Sequence, residues 1–530
     1  MTRWLTGMAL LCSLSGFAQQ SCDVLIRNGR IIDGTGNSWF YGDVAVKDGR
    51  IVAVGKLPGY SAGKVIDAQK MIVAPGFIDV HGHVEGSIFR QPTADNYIYD
   101  GVTTIVTGNC GSSAPDLQRF FARVDSLRPG INVASLIGHN TVRREVMQRD
   151  NRTPTPAEQQ QMEALVTKAM EDGAVGLSTG LIYIPGAYSK TDEVVGLAKA
   201  AAKYNGVYAS HIRNEGNHVV AAINEAINIG KAANMPVEIS HFKVSGRANW
   251  GRSSLTLGLV QQARREGWDV TIDQYPYTAS STNLGVCLPD WALAGGQDSI
   301  SARLHNPVIR AQIKKEMLAQ LKEHRYKNYS YAVVANYAAD TSYNGKSITE
   351  INRLMGRKGK AKHEAETIMD MVDKGGAQMV YHSMNEDDVR YIMQYPFCMV
   401  GADAGVPTPG RGMPHPRAYG TNARILGRYV REAQLMPLEE AIRRMTSLAA
   451  QKFRLKDRGL LREGMAADIV IFDEQEVNDR ATFENPHQYA AGFRYVLVNG
   501  QLELDNGRHT GVRNGRPLYG PGKQPPAASL

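Results

Sequence analysis

Pro75-Gly76-Phe77-Ile78-Asp79-Val80-His81-Gly82-His83 decides how this chain is read. A short apolar run ends in two histidines two positions apart. Residues i and i+2 of a strand share a face, so both imidazoles can reach one metal ion. A lone His-x-His is a weak signal, since two unrelated surface histidines satisfy it. Here it gains weight from donors at the ends of later candidate strands, namely Cys110, His211, His241 and Asp403.

The strands around that opening set the fold. Candidate strands end near His81, Thr107, Gly138, Ser178, His211, His241, Tyr275 and Asp403. Helical stretches such as 156–172 and 217–234 lie between them, and this alternation predicts a parallel α/β barrel over residues 75–455. A further apolar run, Gln378-Met379-Val380-Tyr381-His382, makes one strand too many. Which of the nine is the extra one stays open at this point; one reading places this run with an inserted segment at about residues 285–375, rich in charge and helix formers and poor in strands. Residues 22–74 read as short strands punctuated by Asn28-Gly29 and Asp48-Gly49 turns. Residues 456–515 repeat that style. The fold expected is an α/β, (β/α)8 TIM-like barrel carrying a small β-sandwich domain built from both termini. The Pro/Gly-rich segment 516–530 is expected to be a flexible tail.

Composition narrows the function. The chain has 530 residues, 43% of them hydrophobic, enough for a large core and more than one domain. A net charge of +8 is mild for this length, and the basic residues are dispersed. That argues against nucleic-acid binding and leaves a weak bias toward anionic ligands. Arg3, the apolar run from Trp4 to Phe17 and the small residues Gly16 and Ala18 form a signal peptide over residues 1–18. An exported protein, periplasmic or secreted, is expected. No later run of apolar residues is long enough for a membrane span. Cys22, Cys110, Cys287 and Cys398 remain after cleavage, and a chain this large does not need a disulfide framework. Nothing in the sequence specifies an oligomeric state.

In an α/β barrel, functional groups gather at the carboxyl ends of the strands. His81 and His83 close strand 1, Cys110 follows strand 2, and His211, His241 and Asp403 close strands 5, 6 and 8. Each has an ordinary structural reading alone. Their convergence on one barrel mouth points to a metal, and imidazole, thiolate and carboxylate together suit zinc. Six donors exceed the needs of one tetrahedral ion. Either two ions share a bridging donor, or one donor carries the proton.

The opening motif, the strand-end histidines and the closing Ala466-Ala467-Asp468-Ile469-Val470-Ile471-Phe472-Asp473 resemble the amidohydrolase superfamily. Gly108-Asn109-Cys110-Gly111, Gly138-His139-Asn140, Gly176-Leu177-Ser178-Thr179-Gly180, Ser240-His241-Phe242-Lys243 and Pro414-His415-Pro416-Arg417 narrow the resemblance to the D-aminoacylases, or N-acyl-D-amino-acid deacylases. It covers about residues 22–515. It implies zinc held tightly by Cys110, His211 and His241, with a second, weaker site at His81, His83 and Asp403. Related cyclic amidases bridge two metals with a lysine at the end of strand 4. Strand 4 here ends Leu177-Ser178-Thr179-Gly180, so Cys110 is the expected bridge. The chain departs from the resemblance at one point: many D-aminoacylases carry acids directly after His-x-His, where this chain reads Val84-Glu85-Gly86, and Glu85 either takes over part of that role or faces solvent.

The resemblance implies hydrolysis of the amide bond of N-acyl-D-amino acids, with Asp403 as the catalytic proton carrier. The substrate is a small molecule with a free carboxylate, so the pocket needs a fixed cation. Arg417 is the best candidate, because a guanidinium fork matches a carboxylate. Lys243 shares a strand face with His241, and the resemblance adds Tyr183, Tyr275 and Ser281. The inserted segment is a candidate lid. Competing readings are a dipeptidase acting before a D-residue, a cyclic amidase of the hydantoinase or dihydroorotase type, and a non-catalytic metal- or ligand-binding protein.

Overall fold

Strands from both ends of the chain meet in one sheet. In the computed structural model, which describes residues 20–523, Gln20–Ile31 is the branch point. It pairs antiparallel with Phe40–Lys47 and parallel with Tyr60–Asp67 and Ile72–Pro75. Ile72–Pro75 then pairs antiparallel with Ile469–Phe472, which leads into Phe493–Val498 and Gln501–Asp505. The two tight turns share one geometry. Asp48-Gly49 and Asn499-Gly500 both place two successive residues at positive φ, as a hairpin turn matched to the strand twist requires. Ile26, Val44 and Val46 from the N-terminal part and Ile469, Ile471 and Leu497 from the C-terminal part fill one buried core. The signal-peptide reading of residues 1–18 lies outside the described residues.

The barrel strands are Phe77–Asp79, Val102–Thr107, a third strand split into Asn132–Ser135 and Ile137–Gly138, then Gly176–Gly180, Val207–His211, Val237–Ile239, Val270–Gln274 and Cys398–Val400. They are numbered 1 to 8 below, and all their pairings are parallel. The ring closes where the Val80 amide donates to the Val400 carbonyl at 3.3 Å and Gly82 bridges Ala404. Nearly every strand residue is buried, as expected where helices cover the outside and side chains fill the inside. Local sequence sets the helix ends. Pro156–Asp172 begins at a capping box between Thr155 and Glu158 and stops at Gly173, whose φ of 114° a larger residue adopts poorly. Among the described residues no helix is long and apolar enough to cross a membrane.

Three expectations need correction. Asn28-Gly29 is not a turn between strands but lies inside Gln20–Ile31, where the register against Phe40–Lys47 shifts between Ile26 and Gly29. The surplus strand belongs to a separate antiparallel sheet, in which Gln378–Tyr381 lies between Ser280–Asn283 and Ala332–Asn336. The inserted layer is therefore wider than 285–375 and has its own sheet and apolar core. Its first strand, Ser-Ser-Thr-Asn, lacks any apolar alternation and is strand only because its neighbour pairs with it. The tail is also packed as far as it is described. The Val133 amide donates to the Arg516 carbonyl at 2.9 Å, and the Leu518 amide returns a bond to Val133 at 2.8 Å. Tyr519 sets its ring edge-on to Phe121 at 5.1 Å. An extended Pro/Gly-rich segment can add along a strand without regular structure of its own. Residues 524–530 lie outside the described residues.

Candidate metal centre

The six donors expected from the sequence converge at the carboxyl ends of strands 1, 2, 5, 6 and 8. Cys110 Sγ lies 3.6 Å from His211 Nδ1 and 3.5 Å from His241 Nε2. It also lies 3.3 Å from His81 Nε2. Asp403 Oδ1 lies 3.1 Å from His83 Nε2 and 3.7 Å from His81 Nε2. Cys110, His241 and Asp403 each adopt a positive φ, of 52°, 38° and 52°. Such backbone costs on the order of 1 kcal/mol or more per non-glycine residue and is retained mainly where it aims a functional group. The turn carrying Cys110 leaves no room for larger residues. A Cβ on Gly108 would meet the Leu136 carbonyl at 2.2 Å, and one on Gly180 would meet the Cys110 carbonyl at 2.1 Å. The end of strand 4 is thus covered by the cysteine turn, where a bridging lysine would have to emerge.

The donor set fits a metal ion. Zn–S of about 2.3 Å and Zn–N of about 2.05 Å give a tetrahedral S···N edge of about 3.6 Å, which Cys110 already makes with both histidines. The His211 Nδ1 and His241 Nε2 atoms lie 2.7 Å apart, closer than the ideal edge of about 3.3 Å. Burial and the Asp403 charge push the Cys110 thiol well above its ordinary value, so the sulfur lacks a protein cation able to hold it as thiolate. Burial and the neighbouring His241 push His211 well below its ordinary value, leaving a neutral ring whose lone pair faces the cluster. Three overlapping groups of donors, Cys110–His211–His241, His81–His83–Cys110 and His81–His241–Asp403, each lie within 4.8 Å.

Carboxylates behind the histidines fix which nitrogen faces inward. Asp273 Oδ2 lies 3.1 Å from His81 Nδ1, and its Oδ1 accepts from the His241 amide at 2.9 Å. Glu215 Oε1 lies 3.0 Å from His241 Nδ1. When these outer nitrogens carry the proton, Nε2 of both rings is free as a ligand. Sequence reading missed both groups. Asp273 sits two residues before Tyr275 on the fully buried strand Val270–Gln274, and Glu215 four residues after His211. A lone buried acid on a strand that needs a partner was the available signal. Glu85 is not a donor. Its Oε1 accepts from Thr107 Oγ1 at 2.7 Å and from the Gly108 amide at 2.6 Å, holding the start of the cysteine turn.

Arg417 opens the helix Arg417–Arg424 and is buried. Its Nη1 lies 2.9 Å from Asp403 Oδ2 without the alignment of a hydrogen bond, and its Nη2 donates to the Ser281 carbonyl at 3.5 Å. The guanidinium lies over the Tyr275 ring at 4.5 Å. Burial alone would raise the Asp403 carboxyl, but Arg417 and His81 outweigh it and hold the group well below the usual range. Lys243 is less free than expected. Its Nζ lies 2.5 Å from Glu215 Oε1, 2.7 Å from the His241 carbonyl and 2.8 Å from His241 Nδ1. Only when Nδ1 is protonated does one ammonium proton turn to the cavity. Ser281 Oγ donates to the Met379 carbonyl, so its hydroxyl belongs to the inserted sheet, while its carbonyl faces Arg417. Tyr183 stands edge-on to His211 at 4.7 Å and accepts from Thr282 Oγ1.

Two cavities meet at this cluster, and Tyr183, Ser281, Thr282 and Asp403 border both. One, of about 190 Å³, runs under the inserted layer past His211, His241 and Tyr275. The other, of about 560 Å³, is bordered by His83, Cys110, Arg417 and the exposed Arg144.

Comparison with known proteins agrees with the geometry. The amidohydrolase family profile matches residues 64–502. N-acyl-D-glutamate deacylase of Alcaligenes xylosoxydans xylosoxydans is 37% identical, over 91% of this chain and 93% of its own length. The crystal structure of N-acyl-D-glutamate deacylase from Bordetella bronchiseptica, complexed with zinc and a phosphonate mimic of the tetrahedral intermediate, superposes with a TM-score of 0.81. It is 37% identical, with 94% of this chain and all of that one covered. A D-aminoacylase structure concerned with its binuclear metal centre, with one-metal activation and second-metal attenuation, also gives a TM-score of 0.81. Its identity is 34%, with 94% and 100% of the two chains covered. Profile, relatives and the cysteine-containing donor cluster together establish that this chain belongs to the amidohydrolase family, alongside the N-acyl-D-amino-acid deacylases.

Proposed function

We propose that the protein is a zinc-dependent hydrolase of the linear amide bond of N-acyl-D-amino acids, releasing a carboxylate and a free D-amino acid. One observation carries the reading. A donor set of zinc-like spacing at Cys110, His211 and His241 lies beside an aspartate, Asp403, which lies 2.9 Å from the buried arginine Arg417. The D-configuration rests on the relatives.

Cys110 Sγ, His211 Nδ1 and His241 Nε2 would hold the tight zinc, with His81, His83 and Asp403 forming a second, weaker position. Bound there, zinc would supply Lewis acidity that polarises the scissile carbonyl and makes water a nucleophile at neutral pH. Arg417 holds the substrate carboxylate, fixing the amide against the cluster. Asp403 is kept ionised by Arg417 and is free to accept the proton of the attacking water. It then returns that proton to the departing nitrogen, which would otherwise leave as a strongly basic amide anion. Asp273 and Glu215 keep His81 and His241 in the required tautomers, and the inserted layer walls the site from solvent.

Asp403→Asn keeps the shape but cannot accept a proton. It is expected to lower turnover by roughly 100-fold or more while zinc stays bound at Cys110, His211 and His241. Near-normal turnover of a metal-loaded Asp403→Asn enzyme would remove Asp403 from the mechanism.

A further inference from the structure

The cavity under the inserted layer has two unlike halves. Its floor is polar and belongs to the cluster, with His211, His241, Lys243 and Asp403. Its far wall is aromatic. Tyr326 and Tyr331 stack at 4.0 Å with planes 10° apart, and Tyr331 lies 6.3 Å from Tyr329 and 6.1 Å from Tyr381. Two of these rings turn their polar ends into the protein. Tyr329 Oη donates to the Met317 carbonyl and Tyr381 Oη to the Asn283 carbonyl, both at 3.1 Å. Val286, Met317 and Leu321 fill the space between, so the wall offers ring faces and aliphatic carbon.

The charges are equally one-sided. Among the described residues lining this cavity, Lys243 is the only lysine or arginine, and it is already paired with Glu215 at 2.5 Å. Arg247 lies over the Tyr326 ring at 5.6 Å but does not line the cavity. His324 is kept neutral by burial. A carboxylate entering the aromatic half would lose its water without gaining a free lysine or arginine. An apolar ring or chain would lose only unfavourable contact with water.

The geometry points to this cavity as the pocket for the substrate's amino-acid side chain, selecting large apolar and above all aromatic D-residues and rejecting acidic ones. It rests on the deacylase reading above. Tyr275 connects the two parts of the argument, since it lies beneath Arg417 and also lines the cavity. With its carboxylate on Arg417, a substrate passes its side chain over Tyr275 into the aromatic half. The acyl group then lies toward the second cavity, with its polar border of Ser112, Asn140 and Gln378. This chain thus parts from its D-glutamate relatives in specificity while sharing their cluster.

The test compares zinc-loaded enzyme on N-acetyl-D-phenylalanine, N-acetyl-D-leucine and N-acetyl-D-glutamate. The expected kcat/KM for phenylalanine exceeds that for glutamate by roughly a hundredfold or more. Val286 is half-buried on the cavity wall, so Val286→Arg can place a cation there. It should raise glutamate turnover by roughly tenfold and lower that of phenylalanine. If that variant does not fold, Tyr331→Ala should lower kcat/KM for phenylalanine more than for N-acetyl-D-alanine. Turnover of the D-glutamate derivative equal to or above that of phenylalanine would overturn the inference and leave the deacylase reading intact. A preference for N-phenylacetyl-D-alanine over N-acetyl-D-phenylalanine would overturn the side-chain placement in the same way. Turnover of L-derivatives alone, or of none, would remove the deacylase reading and the inference with it.

Discussion

Replacing Arg417 by alanine removes two interactions at once, and they can be read separately. The first is to substrate. Loss of one partner of a buried, hydrogen-bonded charge pair costs about 2–5 kcal/mol, which at about 1.4 kcal/mol per decade is roughly 30- to 5000-fold in kcat/KM. The loss falls mainly on substrate binding, because the carboxylate is held alike before and during reaction. The second is to Asp403, 2.9 Å away. Burial raises the Asp403 carboxyl, and Arg417 is the largest influence lowering it. Without the guanidinium the carboxyl pKa rises. Asp403 must be ionised to accept a proton, so the acid limb of the kcat profile moves to higher pH. The assay sets N-acetyl-D-methionine against its carboxamide, which has no carboxylate, over a pH series. The wild type should strongly favour the acid, and in Arg417→Ala the ratio should collapse toward one. Arg417→Lys keeps a charge without the fork and should fall between them. An unchanged acid-to-amide ratio in Arg417→Ala would refute the assignment, whatever the overall rate.

Cys110→Ala should lower zinc in the dialysed, folded protein from about one ion per chain to well below that, as measured by elemental analysis. Full retention would show that the other donors suffice. Glu503 tests the sheet domain independently of the site. Its Oε1 accepts from the Asn514 amide at 2.7 Å, its Oε2 is buried without a partner, and burial raises its pKa to about 8. The folded state therefore holds a proton that the unfolded chain releases near pH 4.5. The stability tied to Glu503 is full below that pH and is lost, at up to about 1.4 kcal/mol per pH unit, as pH rises toward 8. Glu503→Gln should melt higher than wild type at pH 8.5, with the gap closing toward pH 5. An equal gap at both pH values would contradict this.

The parts that could be read from the sequence were those governed by local chemistry. His81-Gly82-His83, the Gly-Asn-Cys-Gly turn and histidines at strand ends have a fixed period or a fixed turn, so their convergence followed from barrel topology alone. The strand ends near His211, His241 and Tyr275 lie within two residues of the observed ones. The rest depends on pairing at a distance. Asp273 and Glu215 act through histidines on other strands, and a lone acid gives no hint of its partner. Ser280–Asn283 is a strand only because Gln378–Tyr381 pairs with it. Arg516–Leu518 looked mobile by composition, yet strand 3 offers it backbone partners. Lys243 was expected to share a strand face with His241; strand 6 ends at Ile239, the Lys243 ammonium still lies 2.8 Å from His241 Nδ1, and its pairing with Glu215 depends on a loop position that periodicity does not give.

The most direct test of the central claim is amine release by the zinc-loaded enzyme from matched N-acetyl-D- and N-acetyl-L-methionine. Release from the D-form alone, lost on chelation and restored by zinc, is the predicted result. Release from the L-form, or release from the D-form that persists after the metal is removed, would contradict it.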